Sequence, residues 1–166
     1  MNCGWSEYLH DGDKYYVVAS GDVGLEKLLL RETSPPLTQN DPMMESIAKG
    51  AAQWIMDGKE FETGLNVNAT PFQERVYKAT CMVPKGKVTT YAAIADHLGC
   101  RAYRAVGQAL NKNCLPLFIP CHRVIRKDGT LGGFETGTDL KEKILKGEGV
   151  GIKDGKVDPS CILRQL

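Results

Sequence analysis

Cys121 lies in the run Pro120-Cys121-His122-Arg123-Val124, where a nucleophile would have a base and a positive charge beside it. A thiol attacks only as its thiolate, and an unperturbed cysteine is only a few per cent ionised at neutral pH. Raising that fraction takes a neighbouring base or cation, and His122 and Arg123 are candidates. Strand geometry opposes direct contact, because adjacent residues on a regular strand point to opposite faces. His122 reaches Cys121 only if Pro120 kinks the chain or a water bridges the gap. On the residues alone, the pair fits equally well a buried cysteine at a strand end beside a surface histidine.

The surrounding segments must position that chemistry. An apolar run, Leu115 to Ile119, leads into Pro120. Beyond it, Lys127-Asp128-Gly129 reads as a turn and Leu131-Gly132-Gly133-Phe134 as a loop needing permissive backbone. Asp139 to Lys146 reads as a helix with Leu140, Ile144 and Leu145 inward. Upstream, Thr70-Pro71-Phe72-Gln73 is a capping-box signature that opens a helix to about Met82. Thr90 caps a short helix, Tyr91 to Leu98. Gly99-Cys100 turns the chain, and a second helix runs from about Arg101 to Asn111. Helix, short turn, helix is the helix-turn-helix pattern.

At 100° per residue, Tyr103, Val106 and Leu110 of that second helix share one side and are expected in the core. Arg101, Arg104, Gln108, Asn111 and Lys112 share the other. Ala102, Ala105 and Ala109 form a strip of small side chains between them. The polar side could be simply solvated, but it lacks acids and the strip admits a close approach, which suits DNA. The charge distribution agrees: residues 66–126 carry nine basic and two acidic side chains, whereas residues 1–65 carry five and eleven. A basic half with an acidic counterpart suggests a polyanionic partner.

The rest of the chain sets the frame. It has 166 residues, 42% hydrophobic and 25% charged, the composition of an ordinary globular protein of one large or two small domains. No segment has the length and apolarity of a membrane span, and the first ten residues do not read as a secretory signal, so a cytoplasmic (or, in a eukaryote, nuclear) location is expected. Six cysteines (Cys3, Cys81, Cys100, Cys114, Cys121, Cys161) show no C-x-x-C or zinc spacing, and most are expected to be small buried hydrophobes. Lys14 to Ser20 and Leu25 to Arg31 read as antiparallel strands, Met43 to Met56 as a helix, and Phe61 to Val67 as a strand or an extended linker.

The segment Asn113 to Ile125 resembles the active-site strand of the O6-alkylguanine-DNA alkyltransferases, whose Pro-Cys-His-Arg-Val signature stands at residues 120–124. Further blocks match in order over about residues 65 to 149: Thr70 to Gln73, Lys87 to Tyr91, Arg104 to Gly107, Leu131 to Phe134, and Glu148-Gly149. The resemblance implies direct, irreversible transfer of an alkyl group from O6-alkylguanine in DNA to Cys121, in one turnover and without metal or organic cofactor. His122 would take the thiol proton through a water, with Glu148 orienting and charging it. Asn113 would brace the turn before Cys121. Tyr91 would contact the target phosphate and donate to the leaving guanine. Arg104 would fill the gap left by the extruded nucleotide. Arg101, Ala102, Ala105, Gln108, Ala109, Lys112 and Arg123 join the expected DNA surface, with the recognition helix in the minor groove. Val124, Gly132, Gly133, Phe134 and Glu135 would line the base pocket. Phe134 lacks a hydroxyl that some relatives carry, and Glu135 replaces a small polar residue, which bears on substrate breadth. On the residues alone, Tyr91 could instead be core, Glu148 a solvated helix-end acid, and Asn113 a simple helix C-cap.

The expected fold is α/β: a small N-terminal antiparallel sheet with a helix (residues 1–64, ribonuclease-H-like), a mostly helical, winged-helix-like domain carrying the helix-turn-helix (65–151), and a tail (152–166). The expected partner is double-stranded DNA bearing O6-alkylguanine, bound by a monomer, with no membrane. Two other functions fit parts of the sequence: a non-catalytic sensor of alkylated bases that recruits other factors, and a Cys-His hydrolase. The sensor leaves the intact cysteine unexplained, and the hydrolase leaves the basic helix unexplained.

Overall fold

The computed structural model describes residues 2–10, 13–31, 34–35, 41–132 and 137–166. The chain divides into two compact units, Met1–Asn68 and Ala69–Leu166. In the first, strands β1 (Asn2–His10), β2 (Asp13–Gly21) and β3 (Lys27–Arg31) form an antiparallel sheet in the order β1-β2-β3. Helix α1 (Pro42–Asp57) packs on β1 and β2. Its start is written in Asp41-Pro42: the Asp41 carboxylate accepts from the Met43 and Met44 N–H groups, and proline fills a position needing no donor. Its end is Gly58, left-handed, whose N–H returns to the Trp54 carbonyl. Met44, Ile47, Ala48, Ala51 and Ile55 are buried with Val17, Ala19 and Leu28. Gly4 is where helix and sheet meet, since a Cβ there would run into the Met44 and Glu45 backbone.

Strand β1 has no counterpart in the sequence pattern. Its buried positions include Gly4 and Tyr8, while Leu9 points out and is 58% exposed, so no apolar alternation marks it. Residues 61–67 form a single bridge, Leu65 to Leu25, and no strand.

In the second unit, α2 (Pro71–Cys81) begins with the expected reciprocal capping box between Thr70 and Gln73. Strand β4 (Val88–Thr90) leads directly into α3 (Tyr91–His97), and α4 (Tyr103–Asn111) follows the turn. Helices α2, α3 and α4 pack on one another, and the Tyr77 hydroxyl donates to the Ala109 carbonyl to tie α2 to α4. A 3-10 turn, Cys121–Arg123, precedes β5 (Val124–Ile125), and α5 (Thr138–Gly147) follows. Strands β6 (Ile152–Lys153) and β7 (Lys156–Val157) make a hairpin, and β8 (Ile162–Leu163) closes the chain. A parallel sheet runs β5-β4-β8, so the segment expected as a tail supplies a strand beside β4. Val88, Ile125, Leu131, Leu145, Val150 and Val157 form a core beneath it.

Three expectations are corrected. Helix α4 starts two residues later than expected, leaving Arg101 and Ala102 ahead of it. Tyr103 is 45% exposed rather than in the core, because it opens the helix before Val106 and Leu110 reach the packed layer. Of the six cysteines none is fully buried: Cys81 and Cys114 are exposed and the others half-buried, with none in a disulfide.

Candidate active site

Cys121 stands on the 3-10 turn rather than on a strand. The Arg123 N–H reaches the Pro120 carbonyl, so the chain turns before β5 begins. Successive side chains of such a turn diverge by about 120°. His122 therefore points into the protein while Cys121 stays half-buried. The approach to the turn is held by Asn113, which is buried. Its side-chain amide donates to the Ile119 carbonyl and its oxygen accepts from the Leu115 N–H. Between those anchors Leu117 is forced to a φ of 76°, a conformation disfavoured for leucine. Asn113 is thus a brace across the loop that follows α4.

His122 has no exposed surface. Its Nε2 is 2.9 Å from Glu148 Oε1. Glu148, at the C-terminal end of α5, is buried and also accepts from Arg123 Nε at 2.9 Å and Nη2 at 2.8 Å. Burial pushes the Glu148 carboxyl up, but the hydrogen bonds from His122 and Arg123 outweigh it and hold its pKa at about 2. Glu148 is therefore an ionised acceptor, and His122 Nε2 must carry the proton that joins them. The other ring nitrogen, Nδ1, then presents its lone pair. It is buried without a hydrogen-bond partner among the described residues. Burial also draws the His122 pKa below 6.5, more than Glu148 raises it, so the ring is a neutral base at physiological pH.

Arg123 is a further correction. Besides its fork on Glu148, its Nη1 donates to the Val83 carbonyl at 2.9 Å, and the residue is buried. A guanidinium so occupied is not on a surface that meets phosphate, and its basic character in the sequence gave no hint of its carboxylate partner.

Tyr91 is half-buried and reaches the site from the other side. In the parallel pairing Thr89 lies opposite Val124 and Thr90 opposite Ile125, so α3 begins at the level of Arg126, just beyond β5. The Tyr91 hydroxyl lies where a Cβ on Gly132 would be 3.8 Å away, and Gly132 has a φ of 72° that few other residues adopt. Burial and the Cys121 charge both raise the Tyr91 pKa, which keeps the phenol protonated.

Lys141, unmarked in the sequence, is fully buried on α5 and donates to the Val124 carbonyl at 2.7 Å. Burial lowers its pKa to about 8, with the Cys121 charge opposing the shift. Helical spacing could have flagged it, since it is next to the inward Leu140 and three residues before Ile144. Val124 itself is fully buried. Gly133, Phe134 and Glu135 lie outside the described residues.

Arg101, Arg104, Gln108 and Lys112 are exposed, and Ala102 and Ala105 are half-exposed. Ala109 is buried at 4% and sits on the floor of a groove between α4 and the start of α2, with Phe72, Gln73, Gln108 and Lys112 around it. Among the described residues no cluster of three His, Cys, Asp or Glu side chains could hold a metal ion, and no helix is long and apolar enough to cross a membrane.

Residues 71–150 match the 6-O-methylguanine DNA methyltransferase DNA-binding domain. A methylated-DNA–protein-cysteine methyltransferase of Methanothermobacter thermautotrophicus is 35% identical over 82% of this chain and 80% of its own length. One from Methanosarcina barkeri is 48% identical over 53% of this chain, and the match spans 56% of that relative. The crystal structure of Mycobacterium tuberculosis OGT in complex with DNA superposes with a TM-score of 0.69 at 30% identity, covering 87% of this chain and 92% of that one. The mixed α/β architecture, the signature around Cys121 and similarity along most of the sequence agree: the chain belongs to the methylated-DNA–protein-cysteine methyltransferase family.

Proposed function

We propose that this protein repairs DNA by moving an alkyl group from O6 of a damaged guanine onto Sγ of Cys121, once per molecule. The observation that carries this is the buried Glu148–His122 pair directly after the half-buried thiol, with a neutral, unpartnered Nδ1 able to take a proton. In the reaction the Cys121 proton passes through one water to Nδ1, and Glu148 stabilises the imidazolium that forms. The Sγ–carbon bond forms as the carbon–O6 bond breaks. The departing guanine takes a proton from the Tyr91 hydroxyl, which recovers one from solvent while His122 releases its own. Lys141 places a buried cation that interacts with the Cys121 charge and favours the thiolate. The thioether is not a leaving group at neutral pH, so Cys121 is not regenerated.

Guanine O6 is out of reach inside a duplex, so the nucleotide must leave the stack. The exposed cationic side of α4 suits the minor groove, with Ala102 and Ala105 allowing close approach and Arg104 filling the gap. Val124 and Gly132 line the base pocket. The α3–α4 pair and the β6–β7 hairpin support a winged-helix-like description of the catalytic domain. The β1-β2-β3 sheet with α1 supports a ribonuclease-H-like description of the supporting one. The protein acts as a monomer on double-stranded DNA, in the cytoplasm or nucleus. The test is Cys121→Ser, because a hydroxyl ionises far less than a thiol. The variant is expected to bind duplex carrying O6-methylguanine yet transfer nothing. Undiminished transfer would move the acceptor to another cysteine.

A further inference from the structure

Tyr103 is a large aromatic at the first position of α4, 45% exposed, next to Arg104. Single exposed aromatics are common on protein surfaces, so exposure alone assigns nothing. Its place in the helix does. Tyr103 and Gly107 are four residues apart and share a face. A Cβ on Gly107 would lie 4.0 Å from the Tyr91 ring, so that face of α4 is turned toward Tyr91. The Tyr91 pKa in turn responds to the charge of Cys121. Tyr103 thus stands one helical turn before Gly107, the position of α4 that faces the Tyr91 ring. Arg101, Arg104, Gln108 and Lys112 are exposed elsewhere on this segment, which carries no acid, a surface complementary to a phosphate backbone.

We propose that Tyr103 is a stacking contact for damaged DNA, its ring covering the base face exposed when the target nucleotide leaves the duplex. Extrusion leaves base faces uncovered in the duplex, and Tyr103, next in sequence to Arg104, supplies a planar group to cover one of them. The inference rests on the transfer function proposed above and adds a residue that sets how efficiently duplex is handled.

Stacking of a base on an aromatic ring corresponds to roughly 5- to 150-fold in an equilibrium or rate. The experiment compares the parent, Tyr103→Ala and Tyr103→Phe. Single-turnover transfer rates are measured from O6-methylguanine duplex and from free O6-benzylguanine, which needs no extrusion, at fixed salt and with melting temperatures as the folding control. The expected result is a ratio of duplex to free-base rates lowered about 10-fold by alanine and held within about 2-fold by phenylalanine. A ratio unchanged in Tyr103→Ala overturns the proposal and leaves the transfer function standing. Phenylalanine as impaired as alanine also overturns it, by pointing to the hydroxyl. A parent that alkylates itself from neither substrate overturns the transfer function, and this contact with it.

Discussion

At the scale of single residues, the proposed reaction turns on a carboxylate that holds two partners. Glu148 orients His122 and neutralises Arg123, so its removal has two separable effects. Glu148→Gln keeps the shape but not the charge. Transfer per folded molecule is expected to fall on the order of 10²-fold, with lesion binding retained, because an uncharged partner no longer stabilises the imidazolium. Stability is expected to fall as well, by about 3 kcal/mol, because the Arg123 guanidinium is left buried without its counter-ion. Single-turnover rates and denaturant melts measure the two effects independently. An unchanged rate and pH profile alongside lowered stability would make Glu148 structural only. Much of this was legible in the sequence, since Cys121, His122 and Glu148 stand in recognisable blocks. The depth at which they work was not. His122 could have been a surface residue, and Arg123 reads as a basic group available to DNA until the structure places it on Glu148 and Val83.

At the scale of elements, α4 divides its residues between packing and exposure. Val106, Ala109 and Leu110 are buried, whereas Arg104, Gln108 and Lys112 are exposed. If Arg104 props the extruded state, Arg104→Ala is expected to lower the ratio of duplex to free-base rates at saturating DNA, by about 10-fold or more. A mere phosphate contact would leave that ratio intact and reduce the salt slope of binding by about 1. The ratio in variant and parent, at fixed salt, decides between them. Capping chemistry made two elements legible, the Thr70–Gln73 box of α2 and Thr90 before α3, and apolar spacing marked α1. Periodicity failed where its premise fails. At the start of α4 there is no packed layer for Tyr103 to enter. Along β1 the inward face uses Gly4 and Tyr8 instead of aliphatics. Strand β8 is two residues long, too short for a pattern, and is fixed by pairing with β4.

At the scale of the whole molecule, buried ionisable groups tie stability to pH. Burial lowers the His122 pKa from 6.5 in the folded state, so the unfolded chain binds more protons below that pH and stability declines on acidification. Glu148 continues the same trend, with a folded value of about 2 against 4.5, and its contribution is lost as pH falls through that interval. Lys141 has the same sign at the alkaline end: the unfolded chain holds its proton up to 10.5 while the folded one releases it near 8, so its burial cost eases between those values. Melting temperatures from pH 3 to 7 are expected to rise steadily in the parent. In Glu148→Gln the rise below about pH 4.5 should be much reduced; the same slope in both would remove Glu148 from the cause.

The proposed repair comes down to one event at Cys121. That event leaves a permanent mark, which makes it directly measurable. The protein is mixed with one equivalent of duplex containing a single O6-methylguanine, and the intact chain is weighed and then mapped by proteolysis. The predicted result is one methyl group in place of one proton, located on the peptide carrying Cys121, with no further gain when more damaged DNA is added. An unchanged mass despite tight lesion binding, or a methyl group on any other cysteine, would contradict it.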